Sequence, residues 1–264
     1  MNTRKSGSAI VMALLVSALP ATLSAQALAN RVEAAPDGYV RFQYEARPGV
    51  CGNGGSISMD EERGIRVRGD GEQCDCECKE GPVRIEIRVN DGIVQDIDTE
   101  VGGSWRERAG TITDLGDVSP EEAAHYLLTF AESSHTGAAE DAIFPATIAR
   151  GVETWPRLLQ IARNDGARED VRTQAVFWLG QEASERATEG LESIIEDEDE
   201  LKVRETAVFA LSQRSEEAAM DALIRIAREH REPQLRKQAI FWLGQRAEDP
   251  RVLTLFEEIL TGGP

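Results

Sequence analysis

An eleven-residue segment occurs three times in the C-terminal half of the sequence, and each copy begins 32 residues after the previous one. The copies are residues 171–181, 203–213 and 235–245, and all three keep an Arg, an Ala, a Phe, a Leu and a Gln at the same places. Each copy is followed by a second stretch whose apolar residues have helical spacing. Because two short helices cannot each bury an apolar stripe alone, they must stack on the neighbouring pairs. The repeat therefore predicts an α-solenoid.

The helical pattern begins before the first of these copies. A degenerate earlier copy is visible in residues 141–144, followed by residues 155–162, so we expect about four helical pairs over residues 140–264. Upstream of them, Ser119-Pro120-Glu121-Glu122 is a capping box with proline at the first helical position. It predicts a connecting helix over residues 119–137.

Residues 38–115 have a different period, because apolar side chains alternate there with charged or amide ones. Two runs carry the alternation: Val40, Phe42, Tyr44 and Ala46 with Arg41, Gln43 and Glu45, and Val83, Ile85, Ile87 and Val89 with Arg84, Glu86 and Arg88. A period of two is typical of antiparallel strands with one buried and one solvated face, and Asn90-Asp91-Gly92 favours a turn between two of them. The sequence thus predicts a two-domain α+β protein, with a small N-terminal antiparallel β domain before the α-solenoid.

Residues 1–29 have the organisation of a cleavable signal peptide. Arg4 and Lys5 supply the positive charge, residues 9–19 are apolar, and Pro20 follows. Small residues that offer cleavage sites come next: Ala25, Ala27 and Ala29. Since the apolar stretch is shorter than the roughly 20 residues that a membrane span needs, we expect a periplasmic or secreted protein with no membrane span in its mature chain.

This predicted location governs how the four cysteines are interpreted. They are Cys51, Cys74, Cys76 and Cys78. In an exported domain such cysteines usually form disulfides, and of the three possible pairings we favour Cys51–Cys78, which closes a long loop between two candidate strands. Cys74 and Cys76 would then form a strained short loop, a labile redox pair or free thiols. A zinc site is the alternative, but structural zinc sites usually use separated C-x(2–4)-C pairs.

Two polar positions recur in the repeat and are candidates for binding a partner: Arg172, Arg204 and Arg236, and Gln181, Gln213 and Gln245. A row of arginines can bind carboxylates of a partner protein. The alternative is structural, because every repeat needs its interface with the next. In that interpretation, which we favour, each Arg pairs with acidic residues between repeats, such as Glu169, Asp170, Glu200 or Glu232, and each Gln bonds carbonyls at a helix end.

Trp178 and Trp242 share one repeat position, with Ala210 between them. Two indoles that flank an alanine can form a shallow aromatic notch for a partner, but large apolar side chains more often belong to the core, and we favour the core. The acidic run Glu196–Glu200 is typical of a solvated loop between repeats.

The repeated V-R-x-x-A-V-F-W-L-G-Q, preceded by W-P-x-L-L-x-I-A-R, resembles HEAT-like repeats in the short form related to those of phycobilisome lyases. More closely, it is similar to exported bacterial HEAT-repeat proteins with a small cysteine-containing β region. The resemblance is specific over residues 140–260 and looser over residues 38–118. It implies an interaction scaffold, and it implies no lyase activity, because the solenoid has no cysteine to hold a pigment.

Charge and motifs exclude several other functions. With 29 Lys and Arg against 47 Asp and Glu, the formal charge of −18 argues against nucleic-acid binding. The sequence has no G-x-S-x-G, H-E-x-x-H or G-x-x-x-x-G-K-[ST] motif. We therefore expect that the protein is not an enzyme and that it binds no cofactor and no metal. We therefore predict a non-catalytic scaffold that binds another extracytoplasmic protein. The alternative is a thiol-redox or metal-responsive module centred on Cys74, Cys76 and Cys78.

Overall fold

The computed structural model describes residues 21–59, 65–67, 79–182 and 185–261. In these ranges an N-terminal helix precedes a β region, which is followed by nine further α-helices and one 3₁₀ helix. The strands are β1 (Gly38–Tyr44), β2 (Val50–Asn53), β3 (Ser56–Met59), β4 (Ile65–Val67), β5 (Val83–Asn90), β6 (Ile93–Val101) and β7 (Ile112–Asp117). The helices are α1 (Ala21–Glu33), α2 (Pro120–Ser133), the 3₁₀ helix (Gly137–Ala142), α3 (Ile143–Thr147), α4 (Trp155–Ala162), α5 (Glu169–Gln181), α6 (Glu185–Asp197), α7 (Leu201–Ser212), α8 (Glu217–Glu229), α9 (Pro233–Gly244) and α10 (Pro250–Thr261).

The β region contains two sheets within the described residues. Four strands form a sheet in the order β6-β5-β1-β7, and β2, β3 and β4 form a second, antiparallel sheet. The expected turn joins β5 to β6, with Asp91 at φ 53° and Gly92 at φ 68°. The prediction of antiparallel pairing is confirmed for β1, β5 and β6. Strand β7 lies parallel to β1, because after β6 the chain passes to the opposite edge of the sheet.

The apolar face of the four-stranded sheet packs against α1 and α2. The Phe42 ring lies 6.1 Å from the ring of Tyr126 in α2, and both Leu28 and Val32 of α1 are buried. Helix α1 therefore extends past Ala29, the last residue of the predicted signal peptide, and is part of the packed core. Residues 1–20 of that predicted segment lie outside the described residues.

The polar face of the same sheet is buried near its middle, where the expectation of a solvated face is wrong, whereas Arg88 on the same face is exposed as expected. Arg41, Arg84 and Glu86 are 5–7% exposed. The reason is the segment between β6 and β7, residues 102–111, which we call the covering loop. Its Trp105 lies across this face, with the ring centroid 5.1 Å from the guanidinium carbon of Arg41 and 5.5 Å from that of Arg84.

Helices α3 to α10 form a stacked array of four pairs. The first helices α5, α7 and α9 pack side by side, as do the second helices α4, α6, α8 and α10. The first pair is irregular, because the 3₁₀ helix and the five-residue α3 replace its first helix. Upstream, Ser119 caps α2, and its Oγ accepts a hydrogen bond from the backbone N–H of Glu122 at 3.1 Å. The predicted fold class, a β region followed by an α-solenoid, is confirmed.

Hydrogen bonds join the β region to the array. Tyr44 is the last residue of β1, and its hydroxyl donates a hydrogen bond to the carbonyl of Pro145 in α3 at 2.7 Å. The backbone N–H of Arg47 donates to the carbonyl of Ile148 at 2.8 Å, and that of Arg150 donates to the carbonyl of Glu45 at 3.0 Å. Burial raises the pKa of Tyr44 well above its usual value, so its hydroxyl stays protonated. The β region thus occupies the N-terminal end of the solenoid.

Candidate interaction surface of the helical array

Arg172 lies at the start of α5 and is buried between the ends of two second helices. Its Nε donates to the carbonyl of Ala162 at the end of α4, at 3.1 Å. Its guanidinium pairs with Glu198, just after α6, and lies 3.4 Å from the carboxylate of Asp165. Burial raises the pKa of Glu198, but the hydrogen bond and the charge of Arg172 outweigh it and hold this pKa below its usual value. Arg172 therefore ties α4, α5 and α6 together.

Arg204 and Arg236 occupy the same repeat position but have different surroundings. The residue 32 positions after Glu198 is His230, and the Nε of Arg204 is buried without a hydrogen-bond partner, as is the Nε2 of His230. The Nη1 of Arg236 donates to the carbonyls of His230 at 2.6 Å and Arg231 at 3.2 Å. The three arginines thus do not present a uniform row of free guanidinium groups.

The acidic run Glu196–Glu200 is not wholly a solvated loop. Glu198 is only 9% exposed, and its side chain accepts a hydrogen bond from the backbone N–H of Asp199 at 2.9 Å. It is this residue that pairs with Arg172, in place of the partners expected from the sequence. The sequence gives no periodic signal for Glu198, because the residue 32 positions earlier is Gly166 and the one 32 positions later is His230.

Aromatic side chains form a continuous row along the first helices, from α3 to α9. Successive ring centroids lie 5.0–6.3 Å apart. We call this the aromatic row, and its members in order are Phe144, Trp178, Phe177, Phe209, Trp242 and Phe241. Trp178 is 6% exposed, whereas Phe241, at the C-terminal end of the row, is 59% exposed. The row is therefore most deeply buried at Trp178 and most exposed at its C-terminal end, at Phe241.

The position between the two tryptophans is filled. Ala210 is fully buried. A Cβ added to Gly180 of α5 would lie 2.6 Å from the Cβ of Ala210. The structure places Trp178 against Phe144 and Trp242 against Phe209, each ring centroid 5.0 Å from its neighbour. Each indole thus contacts a phenylalanine ring, and Ala210 between them is buried.

The recurrent glutamines lie at the ends of the first helices, half-buried at Gln181 and exposed at Gln213 and Gln245. The side-chain amide of Gln213 donates to the hydroxyl of Ser212 at 3.2 Å.

Two arginines that the sequence interpretation missed bond the carbonyls at these helix ends. The Nη1 of Arg214 donates to the carbonyls of Gly180 and Glu182 at 3.1 and 2.6 Å. The Nη2 of Arg246 does the same one repeat later, to Ser212 and Arg214, at 2.6 and 2.7 Å. Each arginine therefore caps the first helix of the preceding pair. The available signal was the repeated dipeptide Gln-Arg at 213–214 and 245–246, which is Gln-Glu at 181–182.

The outer side of the second helices carries charged side chains, several of which form ion pairs with one another. Ion pairs join α4 to α2 (Arg157 with Glu132), α8 to α6 (Arg225 with Glu192), and α8 to α10 (Arg228 with Glu258, and Arg251 with Asp221 and Glu217). Exposed pairs of this kind contribute little stability individually. Their consequence is that these charges already have partners within the chain.

The cysteine predictions fall mostly outside the described residues. Cys51 lies in β2 and is not a free thiol, whereas Cys74, Cys76 and Cys78 lie in the part that is not described. Their pairing, the zinc alternative and the redox alternative stay predictions. Within the described ranges no three His, Cys, Asp or Glu side chains come together as they would around a metal ion. A helix with the length and apolarity to span a bilayer is likewise not found there.

These observations define the class of the protein as an α-solenoid with a small mixed β region at its N-terminal end. Residues 155–244, from the first residue of α4 to the last of α9, match the family model described as HEAT repeats. This match supports a HEAT-repeat protein, in agreement with the resemblance seen in the sequence. No curated protein matches the chain.

Proposed function

We propose that this protein is a non-catalytic scaffold that acts outside the cytoplasm and binds another protein along the first helices of its solenoid. HEAT repeats commonly act as protein-interaction scaffolds, and residues 155–244 are similar to them. The signal-peptide features of residues 1–29 support the extracytoplasmic location.

The observation that carries the proposal is the exposed end of the aromatic row. Phe241 is 59% exposed while its ring lies 5.0 Å from that of Trp242, which in turn contacts Phe209. A partner that covers Phe241 would extend an existing series of ring contacts, and aromatic anchors in rigid surroundings contribute strongly to binding. The second helices are less suited, because several of their exposed charges are already paired within the chain.

Binding can be tested with a variant that changes this surface alone. Phe241→Ser removes the exposed ring from α9, and Leu253→Ser is the matched control, since Leu253 is 51% exposed on α10. Both variants should stay folded by circular dichroism. We expect proteins captured from an envelope extract by the wild type and by Leu253→Ser to be lost with Phe241→Ser. Equal capture by all three proteins would contradict the proposed surface.

The location needs its own measurement. Cell fractionation should recover the mature chain with extracytoplasmic marker proteins. Recovery of the full-length chain with cytosolic markers would contradict export without bearing on the binding surface.

A further inference from the structure

One side of the last helical pair, α9 and α10, faces away from α7 and α8, on which the pair is stacked. We call this side the terminal face, and no described residue covers it. On α10 it carries Leu253 and Leu260, which are 51% and 86% exposed. The two leucines are seven residues apart, so they lie on the same side of the helix. The terminal face therefore presents large apolar side chains to solvent.

The repeat shows that these leucines stand where the preceding pair has charges. The residues 32 positions before Leu253 and Leu260 are Asp221 and Arg228 of α8. Both bind α10 through ion pairs, at 2.9 and 2.7 Å, so these positions point towards the following pair. A terminal repeat that faces water normally has a polar outer side. Leucines at these two positions fit neither water nor another pair of the same kind.

The terminal face also carries a cation on one helix and an anion on the other. Lys237 of α9 lies 32 residues after Glu205, whose side chain accepts a hydrogen bond from Gln234 of the following first helix. Lys237 therefore points away from the array as well. Glu257 of α10 lies between the two leucines, on the same side of the helix. Both charged residues are exposed, and neither forms an ion pair with a described residue.

The opposite end of the array is covered by the β region. Tyr44 and Arg47 bind the first pair there, through the carbonyls of Pro145 and Ile148. A second copy thus cannot place its first pair on the terminal face and continue the stack. Two terminal faces can instead meet each other across a two-fold axis, because such a contact uses the same patch on both copies and closes on itself.

The positions of the two charges suit such an axis. The short turn at residues 245–249 makes α9 and α10 antiparallel. Lys237 lies seven residues before the end of α9, and Glu257 lies seven residues after the start of α10, so the two are level with each other. A two-fold axis parallel to the helices brings α9 of each copy opposite α10 of the other. Each Lys237 then meets the Glu257 of the other copy.

We propose that the terminal face binds a second copy of this chain across a two-fold axis. Leu253 and Leu260 pack against α9 of the other copy, and Lys237 pairs with its Glu257. Burial of the leucines supplies affinity, and the charged pair determines the orientation. This inference goes beyond the proposed function, because the terminal face lies at the end of the array and not along its first helices.

Charge reversal is the sharpest test, since a two-fold contact makes each charged pair twice. Lys237→Glu and Glu257→Lys each replace two attractive pairs by two repulsive ones, whereas an equimolar mixture of the two variants restores both pairs. Analytical ultracentrifugation of the full chain at physiological ionic strength measures the association. We expect a wild-type dimer, a dissociation constant at least about tenfold higher for each variant alone, and a return to the wild-type value in the mixture.

Leu260→Glu tests the apolar part of the terminal face, with Ile93→Glu as the matched control. Ile93 lies in β6 and is 50% exposed. Because both side chains are exposed, both variants should stay folded by circular dichroism. We expect Leu260→Glu to be monomeric at concentrations where Ile93→Glu and the wild type are dimeric.

Several results would overturn the proposal. These are a monomeric wild-type chain, a Leu260→Glu variant that dimerises like the wild type, reversed variants that do not recover on mixing, and oligomers that keep growing with concentration. A monomeric chain that loses a protein of an envelope extract through Leu260→Glu would assign the terminal face to a different partner. The association measurements use the pure chain, so their failure leaves the proposed binding along the first helices unaffected.

Discussion

The buried pair of Arg172 and Glu198 offers the sharpest test of how the repeats are held together. In Arg172→Met the bond to the carbonyl of Ala162 is lost, and Glu198, 9% exposed, keeps a buried charge without its partner. Removal of one member of a buried pair costs about 3–5 kcal/mol. We expect a loss near the lower end, about 3 kcal/mol, because Glu198 still accepts the backbone N–H of Asp199.

The repeat supplies a matched control for this substitution. Arg204 occupies the same position one repeat later, but its Nε has no partner and the counterpart of Glu198 is His230. Arg204→Met should therefore cost less than about 1 kcal/mol. The double variant Arg172→Met/Glu198→Leu removes both charges together, and it should lie within about 1 kcal/mol of the wild type.

Urea unfolding at pH 7 measures these differences in the free energy of unfolding. They are obtained from the shift of the unfolding midpoint, provided that the m-value stays the same. Because the pKa of Glu198 is lowered in the folded protein, its contribution is present above the usual carboxyl range and is lost as the pH falls through the folded pKa. The difference between wild type and Arg172→Met should thus shrink in acid. The reasoning would be refuted if Arg172→Met and Arg204→Met lost equal stability. It would also be refuted if the double variant lost as much stability as Arg172→Met and Glu198→Leu lose together.

Two further substitutions test separate features. Burial, with the nearby charges of Glu140, Asp96 and Asp98, raises the pKa of Asp141 to about 6. A raised carboxyl pKa favours the folded state in acid, and this stability is lost as the pH rises from about 4 through 6. Asp141→Asn should then gain about 1 kcal/mol at pH 7, a value reduced for solvent screening because the side chain is exposed. Gly180→Ala should lose about 1–2 kcal/mol, since its Cβ would lie 2.6 Å from that of Ala210.

Each of these has a discriminating comparison. The gain from Asp141→Asn should vanish near pH 4, and an equal gain at both pH values would show that charge is not its cause. For Gly180, the control is Gly244→Ala at the same repeat position, where the nearest atom is the Cζ of Phe256 at 3.9 Å. That substitution should stabilise by about 0.5–1 kcal/mol through helix propensity, and a loss comparable to that of Gly180→Ala would contradict the packing argument.

The helical array could be predicted because its information is periodic. Three copies at spacing 32 gave the positions of α5, α7 and α9, and the capping box gave the start of α2. The alternation around Val40 and Ile85 likewise predicted β1 and β5 and the apolar face of their sheet. In each case a local period is enough, since neighbouring residues determine which face is apolar.

The candidate binding sites depended on contacts that no local period records. Trp105 comes from a loop with no strand or helix pattern, yet it covers Arg41 and Arg84. The pairing of Arg172 with Glu198 spans two helices and the turn between them, and the exposure of Phe241 depends on how α9 packs against its neighbours. Such contacts follow from tertiary packing, which a single sequence does not display.

Helix α1 sets an order of events for a chain that is exported as proposed. Leu28 and Val32 are buried, and the Nη2 of Arg31 donates to the carbonyl of Leu115 at 2.6 Å. Cleavage after Ala29 would remove nine of the 13 residues of α1, Leu28 among them, and leave only residues 30–33 of this helix. A peptidase needs several residues of extended backbone, and the backbone from Ala25 to Ala29 is helical. Cleavage must therefore come before α1 forms, and the mature chain then folds without the side chain of Leu28 against its neighbours.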